Sequence, residues 1–223
     1  MSTSVATAAP AERQLSTTLR RVLILAPPLV LAVCEIFHPQ PDVTAAAVME
    51  VAGWFALFHA IQLVLFPFLV LSIALLAQKL GVLERWATRL GLVLVLVFFS
   101  AYDAIAGIAT GLAMRSARDL PVAEQNAVFG VVKDWPGFDP AVFAIGAVAV
   151  VGMVLALAML TLGARRAQVG RGPAILLAVA TIVALGGHPF PFGTVAFGCL
   201  FLAALWLDRL DYGVGAADGG GGA

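Results

Sequence analysis

Apolar residues in this chain come in long blocks, divided by short segments that carry nearly all the charge. A helix that crosses a bilayer needs about 20 apolar residues, with roughly 17–25 tolerated. On that measure the first block runs from Val22 to Phe37 and contains Pro27-Pro28. The second starts between Ala45 and Trp54 and ends near Ala77, with Pro67 inside it. The third covers Leu90 to Met114 and the fourth Ala141 to Leu162. Two shorter blocks follow, Pro173 to Gly187 and Pro189 to Leu207, split at Gly186-Gly187-His188-Pro189. Glycine ends one helix there, and proline suits the first turn of the next. The pattern predicts an all-α fold, a polytopic bundle of six transmembrane helices, with a re-entrant pair as the alternative for the last two.

The longest connection has a period of its own. Leu120, Ala123, Ala127, Val128, Val131, Val132 and Trp135 recur at helical spacing, and Asp119 stands where a cap belongs. This predicts an amphipathic helix lying on the membrane surface. The polar lead-in, residues 1–18, and the Gly- and Ala-rich tail, residues 213–223, read as disordered cytoplasmic ends around a single transmembrane domain, residues 19–212.

Composition sharpens this picture. Of 223 residues 61% are hydrophobic and 12% charged, and the mean hydropathy is +1.00. Soluble domains carry about 25% charged residues, so this chain has too few to cover a water-facing surface. Thirteen basic residues balance thirteen acidic ones, which argues against a nucleic-acid partner. Cys34 and Cys199 form neither a disulfide framework nor a metal knuckle. The first block has a long lead-in and no small-x-small cleavage site, so it reads as a retained helix rather than a signal. Arginine over lysine, with abundant Ala, Val and Gly, suggests a GC-rich bacterium and hence the inner membrane.

Basic residues orient the spans. With the N-terminus inside, Arg13, Arg20, Arg21, Lys79, Arg85, Arg89, Arg165, Arg166, Arg171 and Arg209 are cytoplasmic. Only Arg115, Arg118 and Lys133 fall outside. The bias alternates correctly through every loop, which supports six crossings and two cytoplasmic ends.

Ionisable groups within a span are costly and default to a functional reading. Here they are Glu35 and His38 at the end of the first span, His59 in the second and Asp103 in the third, with His188 between the fifth and sixth. Each lies 14 to 20 positions from the nearest cytoplasmic basic residue. At 1.5 Å per residue that places all five roughly 20–30 Å from the cytoplasmic boundary, in the outer third of the bilayer or at its outer edge. Glu35 and His38 are spaced i, i+3, as are His59 and Gln62, and Ser100 and Asp103. Helical bundles use this spacing to present a carboxylate and an imidazole to one metal. His38, His59 and His188 are therefore candidate ligands for a divalent transition metal such as zinc, with Asp103 and Glu35 as candidate catalytic carboxylates. The alternative for Asp103 is a packing role, hydrogen-bonded to Ser100 or Tyr102.

Three further patterns recur. His38-Pro39-Gln40-Pro41 with Thr44 and Ala46 matches His188-Pro189-Phe190-Pro191 with Thr194 and Ala196, as a duplicated helical hairpin would. Gly107-Ile108-Ala109-Thr110-Gly111 is a G-x-x-x-G, whose usual meaning is close helix packing. Pro27-Pro28 and Pro67 should kink their helices and free carbonyls that need internal partners.

Over Glu35 to Pro39, Trp54 to Pro67 and Tyr102 to Gly111 the chain resembles a family of small bacterial six-helix integral membrane proteins. The shared features are His-Pro after the first helix, His-x-x-Gln-Leu in the second and Asp-Ala-x-x-Gly-Ile-Ala-Thr-Gly in the third; that resemblance implies no activity. The mixture of Glu, Asp and three His also resembles the seven-helix membrane zinc hydrolases, from which this chain departs by lacking one helix and a final His-x-x-x-His. The expectation is a membrane protein with a His/carboxylate site in the outer leaflet. Its competing readings are a metal-dependent hydrolase, a haem protein, a small proton-coupled transporter and an accessory subunit.

Overall fold

A computed structural model describes residues 15–42, 44–135 and 139–210. The expected disordered ends lie outside these residues, apart from positions 15–18. Seven helices are present among them: α1 (Thr17–Cys34), α2 (Ala45–Ala77), α3 (Val82–Ser116), α4 (Val122–Val132), α5 (Pro140–Arg166), α6 (Arg171–Val183) and α7 (Phe192–Leu210). Four of them, α2, α3, α5 and α7, are long and apolar enough to cross a membrane, so the protein is an all-α, multi-pass membrane bundle. The helix beginning at Arg171 is apolar but shorter. Single 3₁₀ turns, Glu35–Phe37 and Ala184–Gly186, close α1 and α6 just before His38 and His188.

Local chemistry accounts for the helix ends. Ser16 caps α1 by accepting from Leu19 N at 3.3 Å, which starts that helix a turn before Val22. Thr44 caps α2 through Ala47 N at 3.2 Å, and Asp139 caps α5 through Ala141 N and Val142 N with Pro140 in the first turn. Helix α3 begins well before Leu90, because its first turns are held by the Glu84–Arg166 ion pair to the end of α5. Helix α7 begins at Phe192 rather than Pro189; both prolines stay in the turn, where Pro189 O and Pro191 O accept from Gly193 N and Val195 N.

The surface helix is present but built differently from its sequence expectation. Asp119 does not cap it: Pro121 holds the N-cap position, and Gln125 Nε2 donates to Arg118 O and Leu120 O instead. Val132 turns inward onto Met49, Ala52 and Met114, while Val122 and Val131 are exposed.

Pro28 removes the N–H that would have bonded Ile24 O, and Ser72 on α2 supplies the replacement, its hydroxyl donating to Ile24 O at 2.6 Å. Gly111 packs against the α2 backbone at Ala52 and Ala56, so the G-x-x-x-G does join two helices closely. A comparable approach, unmarked in the sequence, brings Gly91 of α3 against Gly152 of α5.

Long-range polar contacts sort the two ends of the bundle. Arg20 and Arg21 pair with Asp208, and Glu84 with Arg166, so the start of α1, the end of α7, the start of α3 and the end of α5 share one face. At the other face Gln40 Nε2 donates to Phe190 O, and Arg118 to Met49 O. Between them lies an apolar core that includes Ile24, Leu31, Leu69, Ile73, Leu160, Leu177 and Leu200.

Candidate metal centre

The five ionisable groups singled out in the sequence converge at the end of the bundle opposite the Arg–Asp208 pairs. His38, His59 and His188 each offer a ring nitrogen, and these atoms all lie within 4.8 Å of one another. The rings meet edge to face, with centroids 5.0 Å apart for His38 and His188, 5.3 Å for His38 and His59, and 6.0 Å for His59 and His188. Ligands at about 2.0–2.1 Å from a tetrahedral zinc stand about 3.4 Å from each other, so side-chain movements of about 1.5 Å would close the set on an ion. A His-rich cluster able to coordinate a metal is thus present.

Each imidazole is held by a different device. His59 sits in α2 with Nδ1 2.7 Å from Phe55 O, which keeps the proton on Nδ1 and leaves Nε2 as an acceptor. Such a backbone hydrogen bond is how metal-ligating histidines are commonly oriented. Room for the ring comes from Gly107 of α3, where any Cβ would collide with it. His38 follows the 3₁₀ turn of α1, whose Phe37 O accepts from Trp54 Nε1 at 3.1 Å; its ring packs on Phe58. His188 follows the turn of α6 and rests on Phe99, and its Nδ1 is 3.6 Å from Glu35 Oε2 and 3.2 Å from Gln62 Nε2.

The carboxylates flank the imidazoles on two sides. Glu35 and Asp103 are both 0% exposed. Gln62 Nε2 donates to Glu35 Oε1 at 2.7 Å. Asp103 Oδ1 lies 3.9 Å from His59 Nε2, and neither of its oxygens takes a hydrogen bond. The alternative of a bond from Ser100 or Tyr102 is therefore not what positions it. Backbone geometry does: Asp103 opens a π-helical stretch, Asp103–Ala109, within α3. Widened turns of this kind occur often at functional sites.

Among the described residues, eight buried side-chain polar atoms lack a hydrogen-bond partner, and six of them belong to Glu35, His38, Gln62 and Asp103. Buried polar atoms are rarely left unpaired, and a cluster of them in one place is what an ion and its waters would satisfy. Next to His188 lies Phe99, with Phe66 4.0 Å from it and Phe197 6.0 Å from Phe66 between ring centroids.

Sequence reasoning placed these groups in the outer third of the bilayer or at its outer edge but left their lateral positions open. It did not identify two glycines that admit them. The G-x-x-x-G marks Gly107 only as a packing residue, although its place four residues after Asp103 on the same helix is a usable signal. Gly193, where a Cβ would strike His188 O and come within 2.8 Å of Glu35 Cγ, lets α7 start against the site. Nothing in its local sequence marks it. No protein-family model, curated protein or solved structure matches the chain, so the site stands on its own geometry.

Proposed function

We propose that this protein is a zinc-dependent hydrolase of the bacterial inner membrane, threaded six times with both ends in the cytoplasm. The carrying observation is the convergence of His38, His59 and His188 within 4.8 Å, flanked by two fully buried carboxylates. Three imidazoles leave one tetrahedral position open, the ligand count of a catalytic rather than a structural zinc site. Held by His38, His59 and His188, zinc would supply an acidified water and polarise a carbonyl. Asp103, with no hydrogen bond to satisfy it, accepts the proton released as the water oxygen bonds to the carbonyl carbon of an ester or amide. The same proton then passes to the departing alcohol or amine as its bond to that carbon breaks. Glu35, fixed by Gln62, is the positioning carboxylate for His188.

The haem reading is less well supported, because the imidazoles contact one another edge to face and leave no slot for a macrocycle between two of them. The carrier reading finds apolar rings next to the cluster, Phe99 on His188 and Phe66 and Phe197 beyond it, in place of polar groups that would relay a proton.

Full-length protein purified without chelator is expected to contain about one equivalent of zinc by elemental analysis. Less than a tenth of an equivalent rejects the metal centre. Asp103→Asn should retain the zinc and lose hydrolysis of an ester substrate; loss of both would make Asp103 a ligand instead of a base.

A further inference from the structure

The site has a side door. A cavity of about 610 Å³ adjoins the cluster, with His188 as its imidazole wall, and is lined otherwise almost entirely by apolar side chains of α2, α3, α5, α7 and the turn after α6, including Phe66, Phe99 and Phe197. Its volume is within the range of small-molecule pockets. Its rim faces outward from the bundle: Phe143 and Val151 of α5 are each 61% exposed and Leu185 is 62% exposed. Val151 lies well inside α5, where an exposed aliphatic side chain of a membrane-spanning helix faces hydrocarbon rather than water. A second, shallower apolar hollow of about 340 Å³ shares Val150, Val151 and Leu185 with the first and continues to Ala158. Together they form one groove along α5 from Gly146 to Ala158, about 18 Å long at 1.5 Å per residue, over half the roughly 30 Å hydrocarbon core.

We infer that the substrate is a single-chain acyl amphiphile taken laterally from the bilayer, its hydrocarbon chain lying in the α5 groove and its ester or amide head at His188. A water-soluble substrate would have no use for an apolar channel open to lipid. A two-chain lipid would leave its second chain in the bilayer. The geometry keeps the chain and the reacting end apart: the groove is apolar along its length, and the polar groups are gathered at its outer end. Gly146, Gly186 and Gly187 line the cavity. At Gly146 a Cβ would come within 2.9 Å of the Tyr102 ring, so the narrow part of the cavity depends on that side chain being absent.

This inference deepens the hydrolase reading and rests on it for the role of the head group. It is tested on full-length, zinc-loaded protein with a palmitoyl lysophospholipid carrying a mid-chain diazirine. Photolysis should place adducts on the peptide covering 146–158. In Ala147→Phe/Val150→Phe, which fills the groove, labelling should fall at least tenfold. Val64→Phe, on the exposed face of α2, should leave it unchanged. If the double variant does not fold, Leu185→Trp at the rim should give the same loss. Zinc is measured on the same samples and should be retained in the groove variants. Adducts spread evenly over lipid-facing helices, or indifferent to the filled groove, overturn the inference whatever the zinc content. Groove labelling in protein without zinc upholds the groove's occupant and rejects the hydrolase reading alone.

Discussion

Gln62 shows how much of the site depends on one uncharged side chain. It is fully buried, its amide donates to Glu35 Oε1, and the same nitrogen lies 3.2 Å from His188 Nδ1. Removing it would leave the Glu35 carboxylate without a hydrogen bond among the described residues and His188 without its lateral support. Groups of this kind, one step removed from a metal, typically contribute 10–100-fold to metal affinity. Gln62→Leu, close in volume and apolar, is therefore expected to weaken zinc binding by about 10–100-fold in a chelator competition titration, with helical circular dichroism unchanged. Affinity within twofold of the parent would show that Glu35 and His188 hold their places without the amide. Binding should also weaken as pH falls, since each imidazole must be neutral to coordinate and the ion competes with protons for it. The i, i+3 spacings of His59 with Gln62 and of Glu35 with His38 are legible in the sequence. That Gln62 reaches across to Glu35 is not, because spacing along one helix says nothing about the rotation of its neighbour.

At the scale of the element, the site is a consequence of how α2 lies on α3. His59 occupies the space where Gly107 has no side chain, and Gly111 brings the Ala52–Ala56 backbone close one turn further on. The π-helical stretch beginning at Asp103 sets the register between the carboxylate and that glycine. In Gly107→Ala the added methyl meets the His59 ring, so either the ring turns away or the helices separate. Zinc affinity should fall at least tenfold, and the thermal midpoint should drop. Gly53→Ala on α2 is the matched control, since a Cβ there meets nothing within 4 Å. That change should leave zinc binding intact and stabilise the helix by about 0.5–1 kcal/mol. Equal behaviour of the two variants would detach the glycine from the site. The G-x-x-x-G was visible as a packing signal, but the π-helical stretch was not: a widened turn leaves no mark in hydrophobic periodicity. Asp119, the one cap expected from the sequence, is displaced by Pro121, because the turn after α3 delays the start of α4.

For the molecule as a whole, the proposed chemistry depends on which side of the membrane carries the histidines. Ten basic residues belong to one set of loops and ends and three to the other, and the proposed orientation, with the richer set in the cytoplasm, rests on that bias. The fold shows which helix ends share a face. Arg20 and Arg21 meet Asp208, and Arg166 meets Glu84, so four helix ends from distant parts of the sequence gather at the basic face. The turns carrying His38 and His188 meet at the opposite face through Gln40 and Phe190. The prediction is then specific. In a background with Cys34 and Cys199 replaced by serine, a membrane-impermeant maleimide should label Asp42→Cys in intact cells and leave Ala167→Cys unlabelled until the cells are opened. Both positions are exposed in loops, so accessibility within the protein does not distinguish them. The reverse result would put the metal centre on the cytoplasmic side, and the lateral groove would then draw its amphiphile from the inner leaflet. Labelling of both positions in intact cells would remove the assumption that the helices between them, an odd number of crossings, separate two compartments. In that case one of α2, α3 or α5 fails to span, although these are among the four helices with the length and apolarity to do so.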